Sequence, residues 1–198
     1  MKRTMARREK NDLKAAIRLN PVSYVVIGLV GLRGPSTPYE LKRAASRSLD
    51  YFWPFPHAQL YSEPVRLAEA GLLKEKRETA GRRRKTYSLT GAGRKALQAW
   101  LSVPPQDVFE MRDMAVLQLF FSDFMQTEDL VALAESQVVL YRQRLAEYRE
   151  IAQRNSGRAG RARRMASLEL GERMARAVLG FWSDIAAHPP QGASAGDR

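Results

Sequence analysis

The segment from Gln59 to Thr90 constrains the fold of this chain more than any other. Leu60, Pro64, Leu67 and Ala68 recur at i, i+4, i+7 and i+8 and predict a helix over about residues 57–70, with Gly71 as its natural stop. Two strands are predicted next, over 72–79 and 85–89. Ala80-Gly81-Arg82-Arg83-Arg84 joins them, and with Lys85 it brings four consecutive cations to one hairpin tip. A polar-faced helix followed at once by a basic hairpin suits a chain that lays the helix in a DNA groove and grips the flanking phosphates.

The flanking residues extend the pattern. Pro21 stands where the first turn of a helix accepts proline, and Val22, Val25, Val26, Leu29, Val30 and Leu32 predict a largely buried helix ending near Gly34-Pro35. The β-branched content also permits a buried strand, but the length and the leading proline favour helix. Ser36 or Thr37 caps a second helix with Pro38 and Glu40 in its first turn and Leu41, Ala44, Ala45, Ser48 and Leu49 inward. Residues 50–56, with two prolines, form a turn. Thr90 caps a further helix over about 91–101 that carries Ala96, Leu97 and Trp100. Helix, helix, helix and hairpin make a winged helix-turn-helix, and Pro104-Pro105 marks its end.

The remainder reads as helix throughout, so the fold class is mainly α with a small β-hairpin. Met114, Leu117, Phe121 and Phe124 mark one apolar helix, and Thr127 is placed to cap the next. Ala134, Val138, Tyr141, Leu145, Tyr148 and Ala152 are spaced as the seam of a coiled coil. Residues 155–164, rich in Gly and Arg, connect to a last helix over about 165–187. That helix has two apolar lines: Leu168, Ala175, Leu179, Trp182 and Ala186, and Met174, Val178, Phe181 and Ile185. Two apolar sides imply two partners, one of them outside the chain. The organisation expected is a basic extension over 1–20, a winged helix over 21–102, a helical dimerisation domain over 107–188 and a tail over 189–198.

Charge separates the two halves. The net charge of +12 resolves into +5 for residues 1–20, +8 for 21–102 and −1 for 103–198. A one-sided excess points to a polyanion met by the first half only. There is no cysteine, which excludes disulfides, thiol catalysis and thiolate metal sites and fits a reducing cytoplasm. The longest apolar run, over residues 22–32, is about half of the ~20 residues needed to span a bilayer. The basic N-terminus lacks the apolar core of a signal peptide.

On the third helix, Gln59, Ser62, Glu63 and Arg66 are expected opposite the apolar stripe. Gln can read adenine bidentately, and Arg can read guanine or grip phosphate. A solvated helix face is the commoner role for such residues, but the basic hairpin downstream favours DNA. Arg82, Arg83, Arg84 and Lys85 repel one another without a partner and release counterions with phosphates. Tyr39 is placed for a phosphate contact or for packing on the first helix; Lys42, Arg43 and Arg47 are surface cations. Trp100, Phe121 and Trp182 are candidates for stacking on a small aromatic effector, between the halves or at a dimer axis, with core packing the simpler role for each. Enzyme chemistry has no inventory. His57 and His188 lack a matched nucleophile or metal-ligand spacing, Gly91-Ala92-Gly93 lacks a dinucleotide setting, and Glu147, Glu150, Glu169 and Glu172 fit solvated faces. No cofactor or metal is expected.

Taken together these residues resemble the PadR family of bacterial transcriptional regulators, in the longer form with a C-terminal domain of the virulence-activator type. The resemblance rests on Tyr39-Glu40-Leu41, Gln59-Leu60-Tyr61, Arg66-Leu67, Glu69-Ala70-Gly71-Leu72, Tyr87-Ser88-Leu89-Thr90, Gly93 and Trp100-Leu101. In the second half it rests on Arg112-Asp113, Leu119-Phe120-Phe121, Leu170-Gly171 and Trp182. It implies a homodimer that binds an inverted repeat, usually repressing, dimerised by its C-terminal helices and in some relatives released by a phenolic acid or hydrophobic drug. The family's DNA-contacting positions carry over to Tyr39, Gln59, Tyr61 and the basic wing. Pro64 departs from a regular recognition helix, predicting a kink or a late start, and the 20-residue extension is longer than typical. A protein-interaction adaptor whose winged helix no longer reads a site is the alternative. An RNA-binding module is weaker, because no strand presents paired aromatics.

Overall fold

Asn20 opens the first helix. Its Oδ1 accepts the Ser23 amide and its own amide donates to Ser23 Oγ, both at 2.9 Å, a reciprocal cap on α1 (Pro21–Arg33). A computed structural model describes residues 17–78, 84–157 and 161–191 and divides into two units, Met1–Asp107 and Val108–Arg198. In the first unit α1 is the central helix. Val26, Ile27 and Val30 are fully enclosed, and α1 packs on every other helix described in the unit and on the second strand of the hairpin.

Thr37, rather than Ser36, caps α2 (Pro38–Ser46): Glu40 Oε2 accepts the Thr37 amide at 2.8 Å, and Thr37 Oγ1 accepts the Glu40 amide. Ser36 is instead buried and exchanges both backbone hydrogen bonds with Tyr87, each 2.9 Å, which ties the hairpin to the segment ahead of α2. The third helix, α3 (Gln59–Glu69), begins two residues after His57 and has no side-chain cap. The amides of Gln59, Leu60 and Tyr61 bond three residues back, to Pro56, His57 and Ala58. Pro64 lies inside α3 and faces the core with Leu60 and Leu67, so its missing N–H is on the dry side.

The hairpin pairs β1 (Leu73–Arg77) with β2 (Lys85–Leu89) antiparallel, Leu73 opposite Leu89, Glu75 opposite Tyr87 and Arg77 opposite Lys85. The first strand is shorter than the expected 72–79. Thr90 Oγ1 accepts the Gly93 amide at 3.1 Å and so caps α4 (Gly91–Leu101). Gly93 is where the helix meets the hairpin: a Cβ there would stand 2.2 Å from the Leu72 carbonyl oxygen and 2.9 Å from Leu89 Cδ1. Backbone cannot yield as a side-chain tip does. Gly93→Ala is therefore expected to destabilise the first unit by about 3 kcal/mol, read as a lowered urea midpoint at unchanged m-value.

Among the described residues every regular element of the second unit is helical. Asp113 Oδ1 accepts the amides of Ala115 and Val116 at the head of α5 (Met114–Phe120). The apolar segment does not continue as one helix to Phe124; it breaks at Phe121 into a 3-10 turn, Ser122–Phe124. Thr127 is the first residue of α6 (Thr127–Asn155), not its cap, which is Gln126 without a side-chain bond. The last helix, α7 (Ala162–Ala187), starts three residues ahead of Met165. The heptad seam of α6 finds its partner within the chain. Ala134 and Val138 pack with Trp182 of α7, and Tyr148 lies against Gly171, so the two helices run antiparallel. The second apolar line of α7 leaves Met174 and Phe181 exposed, as do Met114, Leu117, Phe120, Phe121 and Phe124 on α5 and the turn. No helix among the described residues is long and apolar enough to cross a membrane.

Candidate nucleic-acid interface

The first turn of α3 presents Gln59, Tyr61 and Ser62 to solvent, with Tyr61 49% exposed. The amphipathic period forces this. Leu60, Glu63, Pro64 and Leu67 occupy the inward stripe at i, i+3, i+4 and i+7, and the residues between must face out. Ser62 Oγ makes only a long bond, 3.4 Å, to the Gln59 carbonyl. Tyr39, in the first turn of α2, is 60% exposed, and the Arg43 guanidinium lies over its ring at 5.9 Å. Lys42 and Arg43 are exposed along the same helix and Arg47 at its C-cap.

The hairpin has two chemically different faces. Glu75, Arg77, Lys85 and Tyr87 share the inner one: Glu75 accepts from Arg77 Nε at 2.6 Å and from the buried Tyr87 hydroxyl at 2.9 Å, with Lys85 Nζ at 3.5 Å. The hydrogen bond from Arg77 leads the interactions that hold the Glu75 carboxyl below its usual range. Burial, reinforced by the Glu75 carboxylate, pushes the Tyr87 hydroxyl up to about 12. The outer face carries Lys74 and Lys76, both exposed, and no acid among the described residues pairs with either. Arg84 is exposed at the base of the tip, and its field and that of Arg33 reach the Glu40 carboxyl, already lowered chiefly by the Thr37 amide. The head of α2 and the root of the wing are thus neighbours. Arg82 and Arg83 lie outside the described residues, as do 1–16 of the basic extension.

Two expected site residues are placed differently. Glu63 is not on the outer face; it is 7% exposed, on the stripe with Leu60 and Leu67. Arg66 stays partly exposed but is tied to it, giving Nε to Oε2 at 2.8 Å and Nη2 to Oε1 at 2.6 Å. Burial works against the Glu63 charge, but the Arg66 guanidinium and the Ser23 hydroxyl outweigh it and hold the carboxyl below its usual range. Lys85 is half-engaged by Glu75, whereas Lys74 and Lys76 were not singled out in the sequence. Strand alternation reveals them, since Leu73 and Glu75 inward put 74 and 76 outward.

Of the candidate effector residues, Trp100 stacks on Tyr24 with ring centroids 4.5 Å apart and 10° between planes. Phe121 is 55% exposed and meets Phe120 edge-on. Trp182 has no exposed surface, which corrects its reading as a stacking platform. Ala115, Ala134 and Val138 enclose the indole, so a ligand could reach it only by opening the core. Its Nε1 has no hydrogen-bond partner among the described residues. No group of His, Cys, Asp and Glu there could hold a metal ion.

A helix with an exposed polar first turn, a basic hairpin behind it and a separate helical unit together define a winged helix-turn-helix protein of the DNA-binding class. Residues 26–99 match the transcriptional regulator PadR-like family and residues 111–187 match the virulence activator alpha C-terminal family. The chain belongs to the PadR-like family of transcriptional regulators, in its long form, and is not an enzyme. Among solved structures, Bacillus subtilis PadR in complex with operator DNA shares the fold at TM-score 0.76 and 19% identity, over 85% of this chain and 98% of that one. The same protein in complex with p-coumaric acid gives 0.70 and 18%, over 86% and 97%. The Vibrio cholerae virulence activator AphA gives 0.62 and 23%, over 83% and 95%. Among curated proteins no sequence match is found.

Proposed function

We propose that the chain is a sequence-specific DNA-binding repressor that acts in the cytoplasm as a homodimer on an inverted-repeat operator. The observation that carries this reading is the exposed first turn of α3, where Gln59, Tyr61 and Ser62 stand free of the core in the same unit as the exposed Tyr39 and the exposed cations of α2 and the wing. Recognition helices of this class read bases with their N-terminal residues, and two of them enter successive major grooves about 34 Å apart. The dimer is supported by the apolar residues that α5, the 3-10 turn and α7 leave in solvent, more large side chains than a lone soluble domain leaves uncovered in one unit. A small aromatic effector is supported by the likeness to the p-coumaric acid complex and by the exposed rings of Trp100 and Phe121.

Selection of bound duplexes from a random pool tests the reading. The expected result is a two-fold symmetric consensus, with Gln59→Ala relaxing preference at one base position per half-site at a cost of about 1–3 kcal/mol. A protein that dimerises in solution but enriches no sequence would instead be the interaction adaptor. Repeating the selected complex with phenolic acids reads the effector directly.

A further inference from the structure

The side chain that most contradicts its apparent role is Arg66. It sits on the recognition helix one turn from Ser62, partly exposed, yet its donors are taken up by groups of its own chain. A guanidinium has five N–H groups. Nε and one hydrogen of Nη2 go to the Glu63 carboxylate; the other Nη2 hydrogen goes to Ser23 Oγ at 2.9 Å, and Nη1 gives one to the Arg18 carbonyl at 3.2 Å. One N–H is left, and a bidentate guanine contact needs two.

Nor can Arg66 be drawn away cheaply. Glu63 is 7% exposed, and removing its partner would leave a buried carboxylate uncompensated, which proteins tolerate poorly. Ser23 is fully buried and is itself half of the cap that starts α1, bonding Asn20 through both its amide and its hydroxyl. Arg66 therefore joins three things: its own helix, the cap of α1 and the chain entering that cap at Arg18.

We propose that Arg66 is a positioning residue, a strut that sets the pitch of α3 against α1 and leaves base reading to Gln59, Tyr61 and Ser62. This rests on α3 being the recognition helix. Gln59 lies about 10 Å along the helix from Arg66 at 1.5 Å per residue, so a small rotation at the strut displaces the reading end. Because the strut includes the Arg18 carbonyl, the segment leading into α1 bears on the same helix.

The experiment uses the full-length protein and its selected duplex, with Arg66→Met, Glu63→Gln and Ser23→Ala. The wild-type chain is read first: if it selects no site, the recognition-helix reading fails and the strut with it. With a site in hand, Arg66→Met and Ser23→Ala are each expected to weaken binding about tenfold. The base preference at every position and the slope of log affinity against log salt should stay as in the wild type. Combining Glu63→Gln with Arg66→Met should be no worse than the weaker single variant. Three results overturn the proposal: a slope shallower by about one per protomer, which puts Arg66 on a phosphate; loss of preference at one position, which puts it on a base; or wild-type affinity in Ser23→Ala. Ser23→Ala removes a single hydroxyl and keeps the test open should the other variants fail to fold.

Discussion

Trp182→Ala is expected to destabilise the helical unit by about 3–5 kcal/mol, the range for deleting a large aromatic from a close-packed core. The reason lies in the company the indole keeps. Ala115 of α5 and Ala134 of α6 are small and fully or almost fully buried, and they make the hole that the ring fills; Val138 closes one side and Phe181 meets it edge-on at 5.2 Å. Alanine facing alanine across that space leaves a void that α5, held by few other contacts, cannot collapse to fill. Urea unfolding followed by circular dichroism should show the second unit melting early, and operator affinity should fall with it, since the exposed apolar surface proposed for the dimer sits on the same helices. Trp182→Phe sharpens the test. The indole Nε1 is buried without an acceptor among the described residues, and such a donor carries a desolvation penalty of about 1–3 kcal/mol. Phenylalanine removes the donor and keeps most of the ring, so it should cost less than half as much as alanine. Equal costs would mean that the ring volume retained by phenylalanine does not hold the site.

The same residue shows where sequence reading stops. The spacing put Trp182 on one of two apolar lines of α7 without saying which line faces α6, and it does not distinguish a ring that packs from one that awaits a ligand; the alanines opposite decide both. The heptads of α6 likewise specify a seam without naming its partner, which is α7 of the same chain. Where the signal is local, legibility is high. Thr90 capping Gly91–Leu101 and the strand Lys85–Leu89 lie where expected, because a cap and a period-2 run are properties of the residues themselves. The start of α3 was harder. Two prolines precede it, and His57 bonds Asp50 at 3.0 Å across the turn, so those residues close a loop instead of extending a helix. Glu63 was misplaced for another reason. Charge argued for solvent and the i+3 spacing from Leu60 argued for the core; only the Arg66 guanidinium and the Ser23 hydroxyl, 43 residues from Arg66, made burial affordable.

Operator affinity is expected to fall by about 10³–10⁵ between 50 and 200 mM salt, the loss that 6–10 neutralised phosphates produce. Which cations contribute follows from their pairing. Arg66 is committed to Glu63, while Arg77 and Lys85 share Glu75. Lys42, Arg43, Arg47, Lys74, Lys76 and Arg84 are exposed with no acid partner among the described residues. Six per protomer are more than the slope requires, so their positions decide which of them count. Lys74 and Lys76 project from the outer face of the same hairpin whose tip carries the arginine run, and the Lys74→Ala, Lys76→Ala pair should reduce the slope by about 3–4 for the dimer at ~0.9 per contact. Lys85→Ala should reduce it by less, because a charge already facing a carboxylate displaces fewer counterions. Glu75→Gln separates that account from its rival. If Glu75 merely neutralises Arg77 and Lys85, removing its charge frees both and the slope steepens. If it holds them in line with the phosphates, the amide loosens them and the slope becomes shallower. The exposed setting of Arg77 and the 3.5 Å reach of Lys85 favour the first outcome, since neither side chain depends on Glu75 to stay extended. A slope near zero in the wild type would remove the phosphate clamp altogether and with it the role of the wing.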